Sequence, residues 1–252
     1  MRQPQHARGI VHVHTDLSHD GHLTPARIAR MCMDRGMCFA AISDHAEDIT
    51  SDSMELLVRE CNEQSSDKFT LIPGLEHRFA LGIHIVVLGQ RRLTPPAPIL
   101  DTLKRLADDG CILIAAHCAN SAHIPPDLLR ILTAIEIWNI GRDTRYLPTS
   151  ASVRAYMDCI RAKSDLLAIG GADMHIGREW GCEIILRTPC GADQNAIITQ
   201  LRSGSFITRG RFVTFPSRPT GRSRLLIFRA GDALARVRSV RDRAQAMIGV
   251  KG

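Results

Sequence analysis

The stretch HVHTDLSHDG, residues 12–21, carries three histidines and two aspartates in ten positions, directly after an apolar run that begins at Ile10. Such a run is typical of a buried strand. Side chains alternate along a strand with a period of two, so the imidazoles of His12 and His14 are expected to face the same side. Two imidazoles on one face suit a single metal ion, although an H-x-H pair is weak evidence by itself.

Strand-like apolar runs alternate with helical patterns on from this stretch, over the first 210 residues of the chain. The predicted strands cover residues 10–13, 39–43, 70–75, 84–88, 112–116, 135–138 and 166–172. The predicted helices cover residues 24–35, 53–62, 98–109, 126–132, 153–163 and 193–203. This alternation predicts an α/β protein with a mainly parallel sheet, either a barrel or a doubly wound sheet.

Length and composition favour one domain with an extension. The chain has 252 residues, of which 44% are hydrophobic and 23% charged, as in ordinary globular proteins. We predict a hydrolase domain over residues 1–210 and a basic C-terminal extension over residues 211–252. No apolar run approaches the roughly 18–20 residues of a membrane span, and the N-terminus has no apolar signal segment. We therefore expect a cytoplasmic protein without a membrane partner.

The positive charge is concentrated in the C-terminal extension. The formal net charge is +6, yet residues 217–252 alone contain nine Lys or Arg against two Asp. Residues 231–249 have a helical pattern with one apolar face, which predicts a helix that packs on the protein or forms an oligomer contact. Phe228 is the only aromatic residue among these basic ones, so base stacking and nucleic acid binding have little support.

The eight cysteines form no C-x-x-C pair and are scattered through apolar segments. In a chain of this length and expected location, this pattern does not favour a disulfide framework. We expect most of the cysteines to be small buried hydrophobic residues.

Nearly every predicted strand has an ionisable or metal-binding side chain at one end. These residues are His12, His14, Asp44, His45, Glu76, His84, His117, Glu136, Asn139, Asp173 and His175. Any one of them can be an ordinary polar residue at a strand end. Barrel enzymes, however, place their active groups at the C-terminal ends of the strands. The combined pattern therefore predicts one cavity that collects these side chains from distant segments.

The opening stretch, together with five later motifs, resembles the PHP (polymerase and histidinol phosphatase) family. The later motifs are ISDH at 42–45, GLE at 74–76, HIVVL at 84–88, AH at 116–117 and GADMH at 171–175. Their order and spacing match over roughly residues 10–210. The resemblance implies a distorted (β/α)7 TIM-like barrel that usually binds three metal ions.

When the motifs are matched residue by residue, the resemblance implies three sets of metal ligands in this sequence. His12, His14, Glu76 and Asp173 would hold the first ion. Glu76 would bridge to a second ion held by His84 and His117. Asp20, His45 and His175 would hold the third, although His19 or His22 can compete with Asp20 because His19 is inserted into the motif. Imidazole and carboxylate ligands favour two or three Zn, Mn or Fe ions over Mg.

We expect metal-bound hydroxide at a di- or trinuclear site to hydrolyse a phosphomonoester. Glu76 and Asp44 are the predicted catalytic carboxylates, Asp44 by orienting a neighbouring ligand. The partner would be a small phosphorylated substrate. Its phosphate would bind an arginine fork, for which the candidates are Arg178, Arg142 and Arg145, with Arg78 as a further candidate.

Two other interpretations remain open. The chain is compact, with little room for an insertion between Glu76 and His117. In this respect it is similar to small PHP members that act on aryl or carbamate esters. The chain can also be a non-catalytic module that metals stabilise, with a basic tail that binds nucleic acid or a partner. A complete set of ligands argues against this last interpretation.

Overall fold

In this computed structural model, which describes residues 6–118 and 124–220, short strands alternate with amphipathic helices. The strands are β1 (Arg8–Val13), β2 (Phe39–Ile42), β3 (Asp44–His45), β4 (Thr70–Ile72), β5 (Gly74–Arg78), β6 (His84–Leu88), β7 (Ile112–Ala116), β8 (Ala134–Asn139), β9 (Leu167–Gly171), β10 (Cys182–Leu186), β11 (Phe206–Gly210) and β12 (Thr214–Pro216). The helices are α1 (Pro25–Met33), α2 (Ser51–Glu63), α3 (Ile99–Asp108), α4 (Pro126–Ile131), α5 (Ser150–Ala162) and α6 (Gln194–Ser203). The predicted α/β class is confirmed.

Local capping residues fix the starts of several helices. Thr24 accepts a hydrogen bond from the backbone N–H of Arg27, with Pro25 in the first turn, so α1 begins where the sequence predicts. Helix α2 begins two residues earlier than predicted, because Thr50 and Ser53 form a reciprocal capping box. Asp193 caps α6 through the N–H of Ala196.

The strands of the described residues form two six-stranded sheets. Their orders are β12-β11-β10-β1-β2-β4 and β3-β5-β6-β7-β8-β9. Strand β6 is antiparallel to both β5 and β7, and β10, β11 and β12 add three further antiparallel pairings. The prediction of a mainly parallel sheet was therefore wrong. The connection from β5 to β6 is too short for the crossover that a parallel pair needs, so β6 must reverse direction.

The two sheets meet on both sides. On one side, the chain passes from β2 into β3 at Ser43 and from β4 into β5 at Pro73. On the other side, the backbone N–H of Ala172 donates to Val11 O (2.9 Å) and that of His14 to Met174 O (2.8 Å). The described strands form joined sheets and no closed barrel is assigned to them. The distorted (β/α)7 barrel therefore stays a prediction, based on the two places where the sheets meet.

One core cluster consists of aliphatic and aromatic side chains from both sheets and from helix α6. Val11, Phe39, Val86 and Ile169 lie in this cluster and are almost fully buried. Burial of side chains of this size stabilises a fold by roughly 1.5–3 kcal/mol each. Two further clusters lie under the helices.

The C-terminal strands were not predicted from the sequence. Strand β12 pairs with β11 beyond residue 210, and its Phe215 is fully buried in one of the core clusters. The boundary between the hydrolase domain and the extension stays a prediction. The predicted helix over residues 231–249 lies outside the described residues. No helix in the described part of the chain is long and apolar enough to cross a membrane.

One cysteine pair differs from the expected pattern. Cys38, the residue before β2, is bonded to Cys190 in the loop after β10, across 152 residues of sequence. The other six cysteines are free, and five of them are buried, as expected. The sequence predicts no disulfide framework, and the described residues contain this single bond.

Candidate metal centre

The candidate site lies at the edge where the strands end, at the base of a cavity of about 590 Å³. His14 follows β1, His117 follows β7 and Asp173 follows β9. His84 is the first residue of β6, and it reaches the same edge because β6 runs antiparallel to its neighbours. The antiparallel strand that the sequence did not predict therefore brings a predicted ligand to the site.

The first group consists of His12, His14 and Asp173, whose ligand atoms lie close enough together to hold a metal ion. The Nε2 atoms of His12 and His14 lie 3.3 and 3.5 Å from Asp173 Oδ1. They lie 3.6 and 3.5 Å from Glu76 Oε2. All four side chains are buried, so these atoms are shielded from water.

The second group consists of Glu76, His84 and His117. Glu76 Oε1 lies 3.0 Å from His84 Nδ1 and 3.2 Å from His117 Nε2. The other oxygen of the same carboxylate, Oε2, faces His12 and His14. Glu76 therefore lies between the two groups in the position of a shared ligand, which is the arrangement that the family resemblance implies.

The third group consists of Asp20, His45 and His175, with His14 also within reach. Asp20 Oδ2 lies 3.4 Å from His45 Nε2 and 3.3 Å from His175 Nε2. Neither His19 nor His22, the alternatives to Asp20, belongs to this group of described residues. All nine predicted ligands thus lie in three adjacent groups, and their role as ligands stays a prediction.

Three of the predicted ligands have an unusual backbone conformation. His12, His117 and Asp173 are the described non-glycine residues with a positive φ, at 65°, 36° and 48°. The register of β1 against β2 shifts between Val11 and Val13, so a bulge aims His12. His12 and His14 do face one cavity, but the bulge produces this orientation and simple strand alternation does not. Backbone strain of this kind is concentrated at functional sites.

The chemistry of the donor atoms fits a bound metal. Nε2 of His12, both ring nitrogens of His14 and Oδ1 of Asp20 are buried without a hydrogen-bond partner. Each such buried polar atom costs roughly 1–3 kcal/mol of stability. Coordination of a cation would satisfy Nε2 of His12, Oδ1 of Asp20 and one nitrogen of His14, since each of these can present a lone pair. The second nitrogen of a neutral His14 ring carries the proton and stays a donor.

Electrostatics also prepares these groups for a cation. Burial lowers the pKa of His14 to about 4, so this ring is neutral near pH 7. The pKa values of Glu76 and Asp173 are lowered: burial favours their neutral forms, but His12 and the other neighbouring histidines outweigh it. Burial alone would lower the pKa of His12, yet the Glu136, Asp173 and Glu76 carboxylates raise it well above its ordinary value. The ionised carboxylates and the neutral His14 ring are in the protonation states that metal binding requires, whereas His12 would release a proton when it binds a metal.

Glu136 has a larger role than the sequence predicts. Its Oε1 accepts a hydrogen bond from His12 Nδ1 (2.9 Å), and its Oε2 accepts from the backbone N–H of His117 (2.9 Å). Gly171 leaves room for this carboxylate, because a Cβ at that position would collide with Glu136 Oε1. The sequence signal for this role was an acidic residue inside a buried strand. An unpaired charge there is unfavourable, so the residue needs a polar partner.

Asp44 lies one layer away from the three groups. Its buried carboxylate accepts hydrogen bonds from the backbone N–H and hydroxyl of Thr15 and from the hydroxyl of Ser18. Ser18 Oγ in turn accepts from the backbone N–H of His45. Asp44 thus fixes the segment that leads to Asp20, and a catalytic role for it remains a prediction.

The predicted phosphate-binding arginines surround the cavity. Arg142, Arg145 and Arg178 all line it, as does Arg78. Arg142 Nε lies 3.8 Å from Asp173 Oδ2, and Arg145 donates to the backbone carbonyl of Arg178. His77 follows Glu76 in β5 but belongs to none of the three groups: it is buried, and its Nε2 lies 2.8 Å from Gln90 Oε1.

The sequence matches no protein-family model and no curated protein, but the fold has solved relatives. One is a two-domain protein from Bacteroides vulgatus containing a predicted PHP-like metal-dependent phosphoesterase (TM-score 0.61, 16% identity, 84% of this chain and 67% of that chain). Another is PsfC from Pseudomonas syringae (TM-score 0.59, 19% identity, 92% and 99%). A third is an amidohydrolase from Chromobacterium violaceum with bound sulfate and no metal (TM-score 0.51, 14% identity, 77% and 96%). The fold is therefore PHP-like, as the sequence resemblance predicted.

Proposed function

We propose that this protein is a metal-dependent hydrolase that cleaves phosphomonoesters of small molecules. The observation that carries the proposal is the position of Glu76, whose two carboxylate oxygens face two different groups of buried histidines. Such a carboxylate is suited to join two metal ions. The solved protein from Bacteroides vulgatus, described as containing a predicted PHP-like metal-dependent phosphoesterase, supports the same class of activity.

Two sets of residues that share Glu76 would hold the metal ions. His12, His14, Glu76 and Asp173 would hold one ion, and Glu76, His84 and His117 a second. When bound, such ions lower the pKa of water and neutralise charge on a phosphoryl group. Imidazole-rich sites of this kind favour Zn, Mn or Fe over Mg.

The substrate would be bound by the arginines around the cavity. Arg142, Arg145 and Arg178 present cationic groups beside the three groups of candidate ligands, which provides a place for a dianionic phosphate. The planar guanidinium can bind two phosphate oxygens and orient the ester toward the buried groups. The sulfate bound to the Chromobacterium violaceum relative is consistent with a fold that accepts tetrahedral oxyanions.

The proposal is tested by metal analysis and by hydrolysis of p-nitrophenyl phosphate. Protein purified without chelator should contain at least two ions per chain and should release p-nitrophenol. His12→Ala and His14→Ala should abolish this activity with little change in the folded circular dichroism spectrum, whereas Arg59→Ala, on the exposed face of α2, should leave it unchanged. Fewer than two ions per chain in wild-type protein would contradict the multinuclear site.

A second candidate function uses the same metals on non-phosphate esters. The Chromobacterium violaceum relative is described as an amidohydrolase, which favours a hydrolase with broader chemistry. Hydrolysis of naphthyl esters without hydrolysis of p-nitrophenyl phosphate would select this function over the phosphatase.

A further inference from the structure

His19 is the histidine of the opening stretch that the three groups do not use. It nevertheless lines the cavity, next to Asp20. Its ring is stacked beside that of His45, with centroids 5.1 Å apart and an interplanar angle of 28°. The side chain is 62% exposed, so it faces the solvent side of the third group. Its position therefore differs from that of the buried histidines beneath it.

Three imidazole nitrogens converge on one carboxylate oxygen. Asp20 Oδ2 lies 3.3 Å from His175 Nε2, 3.4 Å from His45 Nε2 and 4.0 Å from His19 Nε2. Ligand atoms 2.0–2.1 Å from a tetrahedral zinc ion lie roughly 3.3 Å from one another. Two of the three distances have this value. The third is longer, and His19 stands outside the set of residues whose ligand atoms all lie within 4.8 Å of one another, so its exposed side chain would have to move toward His45 and His175 to complete the site.

His19 is also held in the orientation of a metal ligand. Its Nδ1 lies 2.7 Å from Asp48 Oδ2, and its backbone N–H donates to the same oxygen at 2.9 Å. Because a carboxylate accepts, Nδ1 carries the proton and Nε2 has a free lone pair in the neutral ring. Histidine ligands of zinc almost always donate their second nitrogen in this way to a carboxylate, a carbonyl or water.

We propose that His19 is a fourth protein ligand of the ion held by Asp20, His45 and His175. This inference rests on the metal binding in the proposed function and adds a residue to it. Four protein ligands are typical of structural zinc sites, whereas catalytic sites keep an open position. The third ion would then fix the segment between β1 and α1, and the reaction would belong to the two groups that share Glu76.

An alternative is that His19 and Asp48 form only a surface ion pair. Such exposed pairs contribute little to stability and have no influence on metal content. The two interpretations differ in one measurable quantity, the affinity of the third ion. His22 offers a matched control, because it is an exposed histidine of the same segment that does not line the cavity.

The experiment measures Zn²⁺ binding to the full-length wild type and to His19→Ala, Asp48→Asn and His22→Ala by equilibrium dialysis with elemental analysis. In His19→Ala we expect the affinity for one of the Zn²⁺ ions to fall by roughly tenfold or more, and in Asp48→Asn we expect a smaller fall. Co²⁺-loaded His19→Ala should also show a changed visible absorption spectrum, since one nitrogen ligand is lost. His22→Ala should match wild type in both measurements.

The outcomes separate this inference from the proposed function. Wild-type protein that binds Zn²⁺ while His19→Ala keeps the same stoichiometry, affinities and Co²⁺ spectrum would overturn the His19 inference alone. Wild-type protein that binds no Zn²⁺ would overturn both. Since His19 is exposed, His19→Ala should fold normally, and Asp48→Asn gives a second variant that keeps the imidazole in place.

Discussion

Glu136 Oε1 accepts a hydrogen bond from His12 Nδ1 at 2.9 Å, while Nε2 of the same ring faces Asp173 and Glu76. A carboxylate behind a histidine fixes the orientation of the ring and makes its other nitrogen a better ligand. Glu136 also accepts from the amide side chain of Asn139, so its own position is fixed. The pair is buried, which strengthens the interaction.

From this relationship we expect Glu136→Gln to weaken metal binding by roughly 10–100-fold without removing a ligand. Activity should fall when metal is limiting and recover when excess metal is added. Calorimetric titration with Zn²⁺ and activity at several metal concentrations measure both effects. Glu183→Gln is the control, because Glu183 pairs with Arg8 and Arg209 and does not line the cavity. Equal metal affinity in Glu136→Gln and wild type would contradict the role of Glu136.

Acid should destabilise the metal-free protein through His14. Its folded-state pKa is lowered to about 4 by burial, below the ordinary value of 6.5. A group with a lowered pKa contributes stability above its unfolded value, and this contribution is lost as the pH falls toward the folded value. We therefore expect the free energy of unfolding of metal-free wild type to decrease between pH 6.5 and about pH 4. His14→Ala should show a smaller decrease.

The other titratable groups of the site affect the free energy of unfolding in different pH ranges. Glu76 and Asp173, with lowered pKa values, lose their contribution at still lower pH, in the variant as in the wild type. His12 has the opposite sign: its pKa is raised, so its contribution is complete below pH 6.5 and is lost as the pH rises. Urea unfolding at a series of pH values in the presence of chelator gives the measurement. Parallel stability curves for wild type and His14→Ala would argue against this account.

Removal of Arg178 should affect substrate binding in a way that depends on the substrate's charge. We expect Arg178→Ala to raise KM for p-nitrophenyl phosphate by roughly 10- to 100-fold, because a hydrogen bond to a charged group contributes about 1.5–3 kcal/mol. KM for a neutral naphthyl ester should change little. Steady-state kinetics on both substrates gives the comparison, with Arg59→Ala as the control. A similar rise in KM for both substrates would show that Arg178 acts on the shape of the cavity and not on phosphate.

The bond between Cys38 and Cys190 should stabilise the oxidised protein. A cross-link that closes a loop of 152 residues restricts the unfolded chain, and native disulfides contribute about 2–4 kcal/mol. We expect reduction to lower the melting temperature of wild type and to have no effect on Cys190→Ser. Cys159→Ser, at a half-buried free cysteine, should behave as wild type does. Eight reactive thiols in unreduced, denatured protein, in place of six, would exclude the bond.

Local sequence patterns determined most elements of this protein and the residue types at its site. Helix α1 begins at Pro25 behind its Thr24 cap, because capping depends on neighbours three residues away. The strand-end residues His14, His117 and Asp173 were visible because ionisable side chains interrupt or follow buried apolar runs. These signals are local, so a single sequence is sufficient to detect them.

The tertiary structure decided which atoms face one another. The pairing of His12 with Glu136 spans 124 residues, and the sharing of Glu76 between two groups depends on the antiparallel direction of β6. The left-handed backbone of His12 depends on a bulge against β2. No local pattern encodes these relationships, because each arises where strands that are distant in sequence meet. The sequence by itself therefore determined which side chains the site contains, and only the packing of the two sheets determined their grouping.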